Sequence, residues 1–383
     1  MPWGASSVME ERIRFVIRAS QDSANVSALC REFGISRPTG YLWLNRYRAA
    51  GGMAGVFERS RRPHHSPKRA TAEHEERVVA LRREYGWGAR KLRVLLLEEG
   101  LDLKVATINR ILDRRSLIEV RDSHRPAVNR FERERPNQLW QMDFKGEYPA
   151  GRGFCYPLSI LDDHSRFMVG LYALSGQDTA SVNACLISTF EHYGVPEAML
   201  MDHGVPWWSN SNGHGLTRLS VSLIKQGIRL YFSGFRHPQT QGKVERFHRT
   251  LTEAVRHRGQ PATLLDFAHE FKKIRHQYNH IRPHESLNMA VPAQHYQPSS
   301  RSYTPRPVPW EYPEGAILVR LNMKGAFYYR LRRHFVCEAL AGETVRLEEL
   351  DDKLLISYRH TYVREIAVTT GLSTSLLREA TKQ

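Results

Sequence analysis

The apolar residues of this chain keep a helical period up to about residue 120 and abandon it near Pro136, and that switch limits the fold more than any other feature. From Glu73 to Val120, Val78, Val79 and Leu81, then Leu92, Leu95 and Leu96, then Ile108, Ile111 and Leu112 recur at helical spacings. Beyond Pro136, LWQMDFKGEY and FCYPLSILDDHSRFMVGLYAL are rich in aromatic and β-branched residues, interrupted by Gly151, Gly153 and the polar DDHSR turn. They predict three consecutive antiparallel strands joined by hairpins. DTASVNACLISTFEHYG begins at an Asp or Thr cap and ends at Gly194, which predicts a helix of about four turns. A short strand, EAMLMDHG, follows Pro196, and a helix and strand lie around LSVSLIKQGIRLYF. Strands, then helix, strand and helix describe a mixed α/β sheet. With 383 residues the chain is too long for one core, so this sheet is one domain among several.

The N-terminal stretch VSALCREFGISRPTGYLWLNRY reads as a helix-turn-helix. Leu29 and Phe33 lie four apart, Gly34 and Ile35 follow, and Ser36 can cap a second helix with Trp43 on its inner side. That helix would present Arg37, Pro38, Tyr41, Leu42 and Asn45 outward, where side chains reach base edges in a major groove. Gly40 stands where a β-branched inner residue is more usual, and an ordinary αα-hairpin with surface arginines would share the pattern. GGMAGVFERSRRPHHSPKRA, with Arg61 and Arg62 as further candidates for phosphate contact, reads as a basic linker. The periodic segment after it fits a second helical DNA-binding unit with Lys104, Thr107 and Arg110 outward, although structural packing explains it almost as well. The net charge of +16 points to a polyanionic partner. Residues 1–135 hold 27 Lys or Arg against 17 Asp or Glu, a surplus of 10. Residues 136–300 and 301–383 each add a surplus of only 3 (16 against 13, and 13 against 10).

Three acids stand out against this background. Asp143 falls in a strand otherwise made of Leu139, Trp140, Met142 and Phe144, where a carboxylate is costly unless paired or metal-bound. Asp202 ends the short strand before a glycine turn. Glu245 lies one turn into a helix whose apolar face is Val244, Phe247, Leu251 and Val255, off that face and flanked by Lys243, Arg246 and Arg249. Convergence of three carboxylates suits phosphoryl transfer with two divalent cations, because Mg²⁺ prefers oxygen ligands and a metal pair serves both the attacking and the leaving oxygen. Basic neighbours would then hold the phosphate backbone.

With these residues placed, WQMDFKG, LMDHG, HPQTQGKVERFHRTL and YNHIRPHESLNMAVPAQHY together resemble the bacterial insertion-sequence transposases whose core is similar to retroviral integrases. The resemblance covers nearly the whole chain. It implies a ribonuclease-H-like catalytic core with a DDE triad of Asp143, Asp202 and Glu245, which binds two Mg²⁺ or Mn²⁺ ions. It implies contact between element-end DNA and the loop that carries His237, Gln239, Gln241 and Lys243. Terminal inverted repeats as substrate and a dimer or tetramer on DNA follow from the same likeness. Relatives commonly carry Asn after the second aspartate, whereas this chain has His203, either a tolerated change in a turn or a residue that alters access or pH response at the metal. The gap from Asp202 to Glu245 is 43 positions, longer than the roughly 35 that names many relatives, and WWSNSNGHG supplies an extra surface loop.

The remaining polar residues read as structure. Asp162 and Asp163 are expected in a hairpin turn fixed by Ser165 and Arg166, not at a metal, and His276, His280, His284 and His295 in packing rather than at zinc. SSRSYTPRPVPWEYPEG reads as an extended linker, and the alternating segment after it as a small β-barrel, SH3-like by resemblance. In it Arg330, Arg332 and Arg333 either touch phosphates or solvate an edge strand. The expected organisation is therefore multidomain α/β. A helix-turn-helix domain takes 1–50, a basic linker 51–72 and a second helical DNA-binding domain 73–122; a ribonuclease-H-like integrase core takes 136–298 and a small β-barrel 310–368.

Cys30, Cys155, Cys185 and Cys337 are scattered without zinc-ligand spacing, and neither a signal segment nor a long apolar run is present, so a reduced, cytoplasmic protein without membrane contact is expected, and the resemblance implies a bacterial, nucleoid-associated one. No nucleotide cofactor is expected, since no Walker-type loop occurs. The expected function is transposition: binding of the inverted repeats, hydrolysis of a phosphodiester and strand transfer between element ends and target DNA. The alternatives are a sequence-specific repressor, a domesticated and catalytically silent transposase, and a plain metal-dependent nuclease.

Overall fold

The computed structural model describes residues 7–59, 69–118, 132–209, 215–233 and 242–377 and divides into two units, Met1–Arg69 and Ala70–Gln383. Arg61, Arg62, His237, Gln239 and Gln241, the middle of the basic linker and the tip of the WWSNSNGHG loop lie outside the described residues.

In the first unit, α1 (Val8–Ala19), α2 (Val26–Glu32) and α3 (Arg37–Ala49) enclose Phe15, Val16, Leu29, Ile35, Trp43 and Leu44. Asn25 caps α2, and Ser36 Oγ accepts the Thr39 amide at 3.3 Å to start α3, as its sequence predicts. The first helix was not anticipated, although Ser7 and Glu10 close a capping box at its start. Arg37, Pro38, Tyr41, Leu42 and Asn45 are all exposed on α3. Gly40 is buried because a Cβ there would run into Cys30 Sγ and come within 2.9 Å of the Phe15 ring. Gly40→Val is expected to destabilise this unit by about 1–3 kcal/mol through overpacking. Thermal unfolding followed by Trp43 fluorescence checks this, and an unshifted transition contradicts it.

The second unit begins with α4 (Ala72–Tyr85), α5 (Ala89–Glu98) and α6 (Val105–Arg114), packed on Val78, Leu81, Leu92, Leu96, Ile108 and Ile111. Glu75 is buried against Arg114 at 2.6 Å. Lys104 and Arg110 are exposed and Thr107 half-buried.

The mixed sheet follows. Its strands are β1 (Trp140–Phe144), β2 (Tyr148–Ala150), β3 (Gly153–Asp162), β4 (Met168–Leu174), β5 (Ala198–Met201) and, after a two-residue ladder of β6 (Trp208–Ser209) with β7 (Gly215–Leu216), β8 (Arg229–Phe232). As expected, β1, β3 and β4 pair antiparallel, while β5 lies parallel beside β1 and β8 parallel beside β5. The crossovers are α7 (Thr179–Tyr193), capped by Asp178 and ended at Gly194, and α8 (Arg218–Lys225). Trp140, Met142, Leu158 and Ile160 face these two helices, and Leu161, Met168 and Leu171 face α9 (Gly242–Arg258) and α10 (Leu264–His280) on the other side. Val244, Phe247, Leu251 and Val255 are the buried stripe of α9, in agreement with its sequence period.

The C-terminal strands are β9 (Ile317–Arg320), β10 (Ala326–Tyr329), β11 (Arg332–Phe335), β12 (Thr344–Leu350), β13 (Lys353–Tyr358), β14 (Thr361–Ala367) and β15 (Ser373–Ser375). No closed barrel is found among the described residues: β15-β14-β13-β12-β9 form an open antiparallel sheet, and β10-β11 a separate hairpin. Arginine side chains bridge the break where a ladder would have closed it. Arg364 Nε donates to Val336 O, and Arg332 to Thr369 O at 3.0 Å. Arg330 pairs with Glu349 at 3.1 Å, so two of the three arginines considered for phosphate contact serve this sheet.

Candidate active site

Alternation along a strand puts Gln141 and Asp143 on the α9 face of β1, opposite to Trp140 and Met142. Gln141 is paired in register with Leu200 of β5, and two further residues along each parallel strand bring Asp143 abreast of Asp202. Neighbouring strands lie about 4.8 Å apart, so the two carboxylates leave adjacent backbones on one face. Glu245 is exposed on the first turn of α9, beyond the Val244 amide that donates to Gln141 Oε1 at 3.3 Å.

The electrostatics register this gathering. Burial, then the charge of Asp202 and further that of Glu245, push the Asp143 carboxyl up to about 7, against a backbone hydrogen bond from Phe144. Among the described residues no three carboxylate, imidazole or thiolate groups are drawn together tightly enough to hold an ion as they stand. Mutual repulsion of three like charges works against such closure. The candidate donors are carboxylate oxygens, the chemistry that Mg²⁺ and Mn²⁺ prefer.

Asp202 is held from its own turn. Its Oδ1 accepts the Gly204 amide at 3.0 Å and the Trp207 indole N–H at 2.8 Å, and Trp207 stacks on Phe144 at 5.5 Å. A Cβ on residue 204 would lie 2.9 Å from both carboxylate oxygens, so only glycine leaves that carboxylate in place. His203 packs edge-on against Trp208 at 4.4 Å and beside Phe232, as an aromatic filler of the turn. On the other flank His248, one turn beyond Glu245, has Nδ1 3.8 Å from Asp143 Oδ2 and Nε2 3.2 Å from Ser159 Oγ. Burial, reinforced by Lys145, lowers its pKa to about 4.

Arg246 and Arg249 are exposed on α9 beside Glu245. Lys243 is placed differently from the expectation that it meets DNA: its ammonium lies 2.6 Å from Asp163 Oδ1, largely buried, and burial pulls its pKa down to about 8. At about 3.6 residues per turn, Lys243 and Arg249, six positions apart, leave α9 in different directions. Asp162 and Asp163 are fully buried in the turn, as expected: Asp162 accepts Ser165 Oγ at 2.6 Å, and Arg166 donates to Asp163 O and His164 O. His276 and His280 stack on each other and His284 packs on Tyr278, the packing roles expected of them. Trp207, Gly204, His248 and Ser159 were not singled out by sequence, since their roles depend on partners that no local period reveals.

Family models described as "Integrase core domain" match residues 133–238 and 226–292, and the two matches between them carry Asp143, Asp202 and Glu245. The chain carries an integrase core domain and is similar to insertion-sequence proteins. Models described as "Helix-turn-helix domain" and "Homeodomain-like domain" match 11–64 and 39–112 of the chain. The insertion element IS407 protein of Burkholderia multivorans is 24% identical over 59% of the chain and 83% of its own length. The Gag-Pol polyprotein of baboon endogenous virus is 25% identical over 47% of the chain, which spans only 10% of that relative. The HTLV-2 integrase catalytic core domain, solved in complex with magnesium, is 14% identical over 42% of the chain and 97% of its own, with a TM-score of 0.33.

Proposed function

We propose that this chain is a DNA transposase that binds the terminal inverted repeats of an insertion sequence, hydrolyses a phosphodiester at each end and joins the freed 3′ hydroxyl to target DNA. The observation that carries the reading is Asp143 abreast of Asp202 across the β1–β5 pair, inside the matched integrase core that also carries Glu245; burial and the charges of the other two acids push the Asp143 carboxyl up to about 7. Asp143, Asp202 and Glu245 are the candidate ligands of two Mg²⁺ or Mn²⁺ ions. Bound there, such ions would polarise the scissile phosphate and make water or a 3′ hydroxyl a stronger nucleophile. The protein's own part is to orient the three carboxylates, to hold His248 neutral beside Asp143, and to seat the phosphate backbone on exposed Arg246 and Arg249. In joining, one P–O bond forms as another breaks, so no nucleotide is consumed.

Exposed Arg37, Pro38, Tyr41 and Asn45 on α3 are the candidate base readers, and Arg61 and Arg62 candidate phosphate contacts. We read residues 1–50 and 73–122 as the DNA-binding domains, 136–298 as the catalytic core, and 310–368 as an open variant of the SH3-like barrel. A dimer or tetramer in a bacterial cytoplasm, at the nucleoid, completes the reading.

Gly204→Ala supplies a test of the Asp202 seat. The clash falls on a side-chain tip, so folding should survive, while the displaced carboxylate should slow cleavage by about tenfold or more. An unchanged rate would separate Asp202 from the chemistry. The function itself is tested by incubating end DNA with the protein and Mn²⁺: nicked ends and joined products are expected. Binding without nicking would favour the silent DNA-binding reading. Hydrolysed ends that never join would favour a plain nuclease.

A further inference from the structure

Gln141 and Asp163 touch more of the α9 start than their place in a strand and a turn requires. The first amides of a helix have no carbonyl within the helix to bond, and the Val244 amide finds Gln141 Oε1 on β1. The other end of that side chain donates from Nε2 to Asp163 Oδ1 at 2.8 Å. Lys243, next to Val244, closes the ring. Its Nζ lies 2.6 Å from the same Oδ1 and donates to Asp163 O at 2.9 Å. Asp163 is held in turn by the Arg133 amide on Oδ2 at 2.9 Å.

Asp163 and Gln141 are essentially unexposed. A buried ion pair is a poor source of stability, because the loss of hydration offsets the attraction, so its use here calls for a geometric reason. The ring supplies one. Gln141 is two residues from Asp143 on the same face of β1, and Lys243 and Val244 immediately precede Glu245 on α9.

We infer that Lys243, Asp163 and Gln141 form a positioning clamp that fixes the start of α9 against β1 and so sets Glu245 at its working distance from Asp143. The inference rests on the reading of Asp143, Asp202 and Glu245 as the catalytic acids. It reassigns Lys243 from phosphate contact to alignment. None of the three touches the reacting atoms, and a displacement of about 1 Å is enough to slow such chemistry by about 100-fold.

The test uses Gln141→Leu and Lys243→Met in the full chain, with Lys243→Arg as the conservative control. In both altered chains hydrogen exchange at the Val244 and Glu245 amides should quicken by about tenfold or more, with the amides of α10 unchanged. Cleavage of end DNA in Mg²⁺, per folded molecule, should fall by about 100-fold in kcat, with DNA affinity within about threefold of the parent. Lys243→Arg should recover about a tenth or more of the parent rate. Should Gln141→Leu fail to fold, Lys243→Met at the less deeply buried end of the ring gives the same readouts. Unchanged exchange at Val244 overturns the clamp. So does a Lys243→Met chain whose loss of activity is matched by a salt-dependent loss of DNA affinity, which would return Lys243 to the phosphates. A parent chain that cuts no DNA in Mg²⁺ or Mn²⁺ sinks the acid-triad reading instead, whatever the exchange shows.

Discussion

Asp143→Asn is expected to lower cation-dependent cleavage and joining by roughly 10³-fold or more, leave DNA binding intact, and raise the melting temperature of the cation-free protein. The loss of activity follows from removing a charged oxygen ligand beside Asp202. The gain in stability follows from the sign of the proton linkage. Asp143 rises from an unfolded value of 3.8 to about 7 on folding, so the folded chain holds its proton more tightly. Stability from that proton is fully present below 3.8 and disappears as pH climbs through 7. At pH 8 the ionised carboxylate therefore strains the fold, by roughly 2–4 kcal/mol, and an amide of the same shape relieves it. Gel shift, cleavage assay and calorimetry at pH 8 without divalent ions check the three parts. A variant that still cuts, or that melts lower than the parent, contradicts the assignment.

Divalent-ion affinity should fall about tenfold for each pH unit below about 7 and level off above it, because proton and cation compete for Asp143. His248 adds nothing to this slope, since its pKa of about 4 keeps the ring neutral throughout. Titration with Mn²⁺, followed by the spin resonance of the free ion, measures the dependence between about pH 5.5 and 8.5. In Asp143→Asn the slope should vanish together with most of the affinity. A flat profile in the parent chain would mean that Asp143 is not the group displaced.

What could be read from the sequence was local. Ser36 as a cap, the Leu29 and Trp43 positions of the helix-turn-helix, the three antiparallel strands and the apolar stripe of α9 all follow from signals a few residues long, and the structure bears them out. Asp143 drew notice because an acid in an apolar strand is expensive, and the strand does place it on the α9 face beside β5. The partners were hidden. Asp163 and Lys243 are 80 positions apart, Gln141 and Val244 are 103 apart, and nothing in either neighbourhood marks the other. Lys243 in a basic run reads as a phosphate contact until the helix orientation is known. Gly40 reads as a flaw in the motif until Phe15 and Cys30 are seen to leave no room for a side chain. The alternating C-terminal pattern gives strands but not their closure, because whether β10-β11 completes a ring depends on edges that meet only in three dimensions. His203 shows the reverse case, a departure from the usual residue that the aromatic surface of Trp208 and Phe232 absorbs.

The most direct measurement is the position of Mn²⁺, located by its anomalous scattering in crystals of the protein with end DNA. An ion at about 2.1 Å from carboxylate oxygens of both Asp143 and Asp202, with a second ion reached by Glu245, is the predicted result. Manganese bound elsewhere, or a complex in which Asp143 and Asp202 share no ion, would contradict the claim that these acids form the catalytic centre.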